Sequence, residues 1–105
     1  MNCEPVPYTS GRFSVKPGEE EAFISAVEAV SDWTMVNFPS VREITLLRDS
    51  SRKGSFFTLF HWEDEDSIEV WRADPEFGAH MTQISEHCDA VEVFTLQRTR
   101  HFIRR

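Results

Sequence analysis

Apolar residues along this chain recur in two periods, and the switches between them mark out its elements. From Tyr8 to Lys16 they alternate, with Gly11, Phe13 and Val15 on one face and Tyr8, Ser10, Arg12 and Ser14 on the other, as in a strand. Lys16-Pro17-Gly18 ends that run. Glu19-Glu20-Glu21 then supplies the carboxylates that favour a helix N-terminus, and Phe23, Ala26, Val27, Val30 and Trp33 follow at helical spacing. Phe38-Pro39-Ser40 stops the helix. Val41 to Asp49 alternates again, with Ile44 and Leu46 facing one way and Val41, Thr45 and Leu47 the other. A polar turn over residues 49–54 returns the chain as Ser55 to Trp62, the hairpin partner. This third strand is apolar on both faces, a pattern expected of a strand covered on both sides.

The stretch from Phe60 to His80 organises the second half. Asp64 is placed to cap a helix by accepting from the Ser67 N–H, and Asp74-Pro75 sets a cap beside an N1 proline. One helix therefore stops at Ala73 and another starts at Pro75. Phe77, Met81, Ile84 and Cys88 form the stripe of the second, and Ala90 to Arg98 alternates as a fourth strand. The order βαββαβ, its second helix broken in two, predicts an α+β ferredoxin-like fold: a four-stranded antiparallel sheet with its helices on one face. Strands two, three and four keep apolar residues on the uncovered face, which predicts a homodimer packed sheet against sheet.

Length and composition sharpen this picture. The 105 residues, with nine Phe and three Trp against four Gly and five Pro, fit one folded domain, its core over residues 8–98. Net charge is −7, but residues 1–97 hold 18 acids against seven bases, and the last eight residues add four arginines. So acidic a body repels nucleic acid, and the basic tail reads as a solvated terminus. Cys3 and Cys88, far apart and outside any Cys/His cluster, fit reduced thiols. The first seven residues lack the pattern of a signal peptide, and no run approaches the ~20 apolar residues of a membrane helix. A cytoplasmic protein with neither nucleic-acid nor membrane partner is expected.

Candidate chemistry is sparse. Neither a P-loop nor a dinucleotide fingerprint nor a Gly-x-Ser-x-Gly elbow is present. The acids Glu63, Asp64, Glu65, Asp66 and Glu69 lack the spacing and glycine of a calcium loop and read as a solvated helix start. His80 and His87 stand about two turns apart, roughly 10 Å of rise, too far to share one metal. What remains is Trp71 at the end of one helix and His80 near the start of the next, which could bring an indole N–H and an imidazole to one cavity.

Val15 to Glu20, Leu46-Leu47-Arg48-Asp49, Phe60 to Asp64 and Trp71 to Phe77 together resemble the antibiotic biosynthesis monooxygenase family of dimeric α+β barrels. The resemblance spans residues 8–98. It implies a cofactor-independent monooxygenase that oxidises a small aromatic quinol, anthrone or polyketide-like substrate, which itself supplies electrons to O₂. The pocket tryptophan of such enzymes corresponds to Trp71, and their companion asparagine to Ser67. On this reading His80 is the base and Trp71 a donor to the developing oxyanion or peroxide, with Phe13, Phe23, Val27, Phe77 and Met81 lining the pocket. The family also holds haem-degrading enzymes that use an Asn, a Trp and an iron-ligating His. That alternative assigns Trp71 and His80 with haem as cofactor, but its asparagine falls on Gly11, which has no side chain to bond with. A non-catalytic dimer that binds a small apolar ligand is the third reading.

Overall fold

The structure, a computed structural model, describes residues 6–105. The sequence readings of Cys3 and of the first five residues lie outside it. Its elements are β1 (Val6–Val15), α1 (Glu20–Asn37), β2 (Val41–Arg48), β3 (Ser55–Trp62), α2 (Glu65–Ala73), α3 (Pro75–Ser85) and β4 (Cys88–Arg98). The strands form one antiparallel sheet in the order β2-β3-β1-β4, so the fold is the expected ferredoxin-like α+β arrangement. No described helix is long and apolar enough to cross a membrane.

The caps fall where the side chains predicted them. Asp64 accepts from the Ser67 N–H at 2.8 Å, and this bond holds its carboxyl below the usual range. Asp74, extended at φ −69° and ψ 129°, closes α2 and opens α3, accepting from the Glu76 N–H at 2.9 Å. The chain thus turns between two helices without leaving either end uncapped.

Three expectations are corrected. Val41 lies on the helix-covered side, because a register shift between Val41 and Glu43 pairs it with Trp62 and packs it with Phe60, Ile68 and Trp71. Cys88 belongs to β4 rather than to the helical stripe: α3 ends at Ser85, and Cys88 pairs with Val15 past a bulge. Strand β3 is covered on one side only within this chain. Phe56, Thr58, Phe60 and Trp62 are buried under the helices, whereas Phe57, Leu59 and His61 on the other face are half-buried.

The core sits between the helices and the sheet in two adjoining clusters. In one, Phe23 of α1 has no exposed surface and lies 5.2 Å from the Phe13 ring and 5.0 Å from that of Phe56. In the other, Trp71 stands 5.0 Å from Trp62, 5.3 Å from Phe60 and 4.4 Å from Phe77. Both tryptophan N–H groups are buried and both are satisfied by a threonine. Trp62 donates to Thr9 and Trp71 donates to Thr34, each at 3.0 Å.

The opposite face of the sheet carries Leu47, Phe94 and Leu96, each at least two-fifths exposed, beside Phe57 and Leu59. At one end of this face Tyr8 stacks on His61 at 5.0 Å and accepts from Arg98 at 2.8 Å. Burial, and then the Arg98 charge, hold the His61 imidazole below its ordinary value, so the ring favours its neutral form there. An apolar face of this kind is open to a partner.

Candidate active site

A cleft opens between the sheet and the helices, near β4 at the edge. Thr9, Gly11 and Phe13 of β1, Thr58 and Phe60 of β3 and Val93 of β4 line its floor. Val27 and Val30 of α1, Trp71 and Arg72 of α2, and Phe77, Met81 and Ile84 of α3 line its roof. Its envelope out to the mouth is about 460 Å³, of which about 40 Å³ admits the centre of a water molecule. A single water needs roughly 10–15 Å³ on that measure, so the room holds only a few waters.

Five of the residues expected at the site come together here: Phe13, Val27, Trp71, Phe77 and Met81. Three do not. Phe23 is packed between Phe13 and Phe56 in the core. Ser67 sits a turn earlier on α2, its N–H held by Asp64. His80 points along α1, its ring 5.4 Å from that of Trp33, and is absent from the cleft. The cause is angular: Phe77 and Met81 share a stripe, and each helical residue turns the side chain by about 100° from its neighbour. Trp71 and His80 therefore face different spaces.

The polar groups of the cleft are also partly engaged already. The indole N–H of Trp71 is turned to Thr34, whose own hydroxyl donates to the Val30 carbonyl at 2.7 Å. Thr58 Oγ1 accepts from the Gly11 N–H at 2.9 Å, and Thr9 Oγ1 accepts from Trp62. Each of these two floor hydroxyls accepts one bond and keeps its O–H to donate. Among the described residues, Arg72 is the only cation in the lining, and no His, Asp, Glu, Lys or Cys borders the cleft.

Gly11 has no side chain for a physical reason visible at once. A Cβ built there would lie 2.5 Å from Phe13 Cζ and 3.0 Å from Thr58 Oγ1, so the ring of Phe13 occupies the space a larger residue would need. Haem does not fit these residues. The candidate ligand His80 is outside the cleft, the asparagine position is Gly11, and the room is far smaller than the macrocycle.

The remaining reactive groups are engaged elsewhere. His87 Nδ1 is 2.9 Å from Glu19 Oε1, tying the end of α3 to the start of α1. Burial pushes the Cys88 thiol up to about 11, which leaves it protonated and unreactive near neutral pH. Among the described residues no group of three His, Cys, Asp or Glu is placed to hold a metal ion. Thr9, Thr34, Thr58 and Arg72 went unmarked in the sequence, since a lone threonine or arginine carries no motif. Their roles arise from pairing across the sheet and between helices.

The family model for antibiotic biosynthesis monooxygenases matches residues 8–83. Comparison with curated protein sequences gives no match. Among solved structures the chain is similar to SnoaB, a cofactor-independent oxygenase from Streptomyces nogalater, with a TM-score of 0.83 and 21% identity over 96% of this chain and 100% of that one. It is similar to a candidate antibiotic biosynthesis monooxygenase from Caulobacter crescentus CB15, with a TM-score of 0.82 and 14% identity over 93% of each chain. A conserved protein from Methanosarcina mazei Go1 aligns at a TM-score of 0.80 and 16% identity, over 90% of this chain and 93% of that one. At these identities the likeness is one of fold.

Proposed function

We propose, from the premise that this chain belongs to the antibiotic biosynthesis monooxygenase family, that it is a cofactor-independent monooxygenase acting on a small aromatic substrate. The observation that carries the reading is the cleft itself: aromatic and aliphatic walls, two hydroxyl donors on the floor and, among the described residues, no ionisable base. The substrate is an anthrone-like or quinol-like ring that ionises readily. Its proton passes to water and its enolate gives one electron to O₂. The radical and superoxide then combine into a peroxide that takes back a proton. From an anthrone, loss of water leaves a carbonyl, so that CH₂ and O₂ become C=O and H₂O; from a quinol with a free ring C–H the same sequence gives a hydroxyquinone and H₂O. Thr9 and Thr58 take the donor role toward the peroxide oxygen, because the Trp71 N–H is committed to Thr34. Trp71 and Phe77 hold the ring, and His80 has no part in proton transfer.

Oxygen uptake with an anthrone or a naphthohydroquinone tests this. Protein-dependent uptake that survives a chelator is expected, with Thr58→Ser close to the parent and Thr58→Val lower by about 10²-fold. His80→Ala should stay within about twofold of the parent. Uptake no faster than autoxidation of the substrate alone would remove the monooxygenase reading. The small room within the cleft favours a second reading, a dimer that binds a small apolar ligand without turning it over. Saturable binding without uptake would select it.

The open sheet face supports a homodimer packed sheet against sheet. Sedimentation should then give twice the 12.2 kDa of the chain. Leu47→Arg with Leu96→Arg should return the protein to monomer, and a parent that already sediments as monomer rules this assembly out.

A further inference from the structure

Arg72 stands where the cleft meets solvent. From α2 its guanidinium crosses to β4, where Nη1 donates to Thr95 Oγ1 at 2.6 Å and Nη2 donates to the Phe94 carbonyl at 3.4 Å. Two neutral acceptors thus fix the group in place while leaving three of its five N–H bonds. Among the described residues no carboxylate comes within ion-pair distance of it. That is unusual for its neighbourhood, since Glu65, Asp66 and Glu69 line a second cleft that shares Arg72 and Thr95. Glu65 instead accepts from Gln97 at 3.1 Å.

We infer that Arg72 is the specificity-determining residue of the cleft, selecting aromatic substrates that carry an anionic oxygen, a carboxylate or an ionised phenol, at the end that stays at the mouth. The inference takes the cleft as the substrate site, as proposed above. A guanidinium already held beside an apolar wall loses little freedom on binding, and a bound oxyanion gains charge-assisted bonds from its remaining N–H groups. The surrounding acids add selectivity of a different kind. They repel a free anion from the rim, so only an anion attached to a ring that fills the apolar floor gains enough to stay. For a phenol the same cation favours the ionised form, which supplies the acidity that a cleft without a base cannot. Arg72 acts by binding and orienting, and forms no covalent bond with the substrate.

The probes are naphthalene-2-carboxylate and its neutral carboxamide, close in shape, with binding followed by quenching of tryptophan fluorescence and by calorimetry. The parent should bind the carboxylate about tenfold more tightly than the amide, and the margin should shrink with added salt. Arg72→Gln should erase that preference by weakening the carboxylate to about the affinity of the amide. Arg72→Lys should keep the salt dependence but recover only part of the margin, since an ammonium lacks the planar fork. Equal affinities in the parent, or an unchanged preference in Arg72→Gln, would overturn the inference and leave the monooxygenase reading standing. Preferred carboxylate binding, with no oxygen uptake from the anthrone or the naphthohydroquinone, would keep the inference and remove the oxidation chemistry. Failure of both probes to bind would overturn the inference, while oxygen uptake with an anthrone would still decide the monooxygenase reading.

Discussion

Replacing Trp71 with alanine is expected to lower folding stability by about 3–5 kcal/mol, the range for removing a buried aromatic side chain whose site collapses only in part. Trp71 joins α2 to three other elements. Its ring meets Trp62 and Phe60 of β3 and Phe77 of α3, and its N–H reaches Thr34 of α1. Because the ring also forms one wall of the cleft, the void left behind would be continuous with the mouth and would fill with water rather than stay empty. Urea unfolding checks the magnitude, with a lower midpoint at an unchanged slope.

The hydrogen bond and the ring can be weighed separately. Thr34→Val keeps the shape of the side chain but strands the indole N–H in the core, at a cost of about 1–3 kcal/mol. Trp71→Phe removes the donor, while the Thr34 hydroxyl still donates to Val30. In the double variant neither group is stranded, so its loss should fall below the sum of the singles, and the difference is the coupling. Strict additivity would mean that the Trp71–Thr34 bond holds nothing together.

That bond also shows where a linear reading stops. The helix break at Asp74-Pro75 was legible, because capping is a local matter of one side chain and the next few N–H groups. The βαββαβ order was legible too, since the period of apolar residues changes at each boundary. Val41 was placed on the wrong face because the pairing shifts between Val41 and Glu43, so alternation that holds from Ile44 to Leu47 fails at that one residue. Cys88 followed the helical stripe on paper, yet the chain had already left α3 at Ser85 to reach its partner Val15. His80 lies outside the cleft for a subtler reason. A residue 60° off a stripe can turn to either neighbour, and the position of Trp33 on α1, about fifty residues away in sequence, decided the matter. The floor hydroxyls and Arg72 acquire their meaning only from register, which no spacing within one segment reveals.

Gly11 supplies the second large effect. Alanine at this position should be favoured in a strand by about 0.5–1 kcal/mol over glycine, through backbone entropy alone. The expected result is the opposite sign, a net loss of about 1–3 kcal/mol from overpacking. The new Cβ would fall 2.5 Å from Phe13 Cζ, and that ring is nearly fully buried against Phe23, so it cannot swing aside without disturbing the core. Asparagine should be worse, because its amide would also crowd Thr58 and take the room at the floor of the cleft. Thermal melts of Gly11→Ala, alone and combined with Phe13→Leu, separate the causes. The smaller side chain at position 13 should recover part of the loss in the double variant, whereas Phe13→Leu alone should only destabilise. A Gly11→Ala protein as stable as the parent would show that the Phe13 ring yields easily. If it does not yield, a side chain at position 11 and an aromatic ring at position 13 are alternatives for one space, and this chain has taken the ring. The floor of its cleft is then apolar by construction, which leaves the bonds of a bound oxyanion to the threonine hydroxyls and to Arg72.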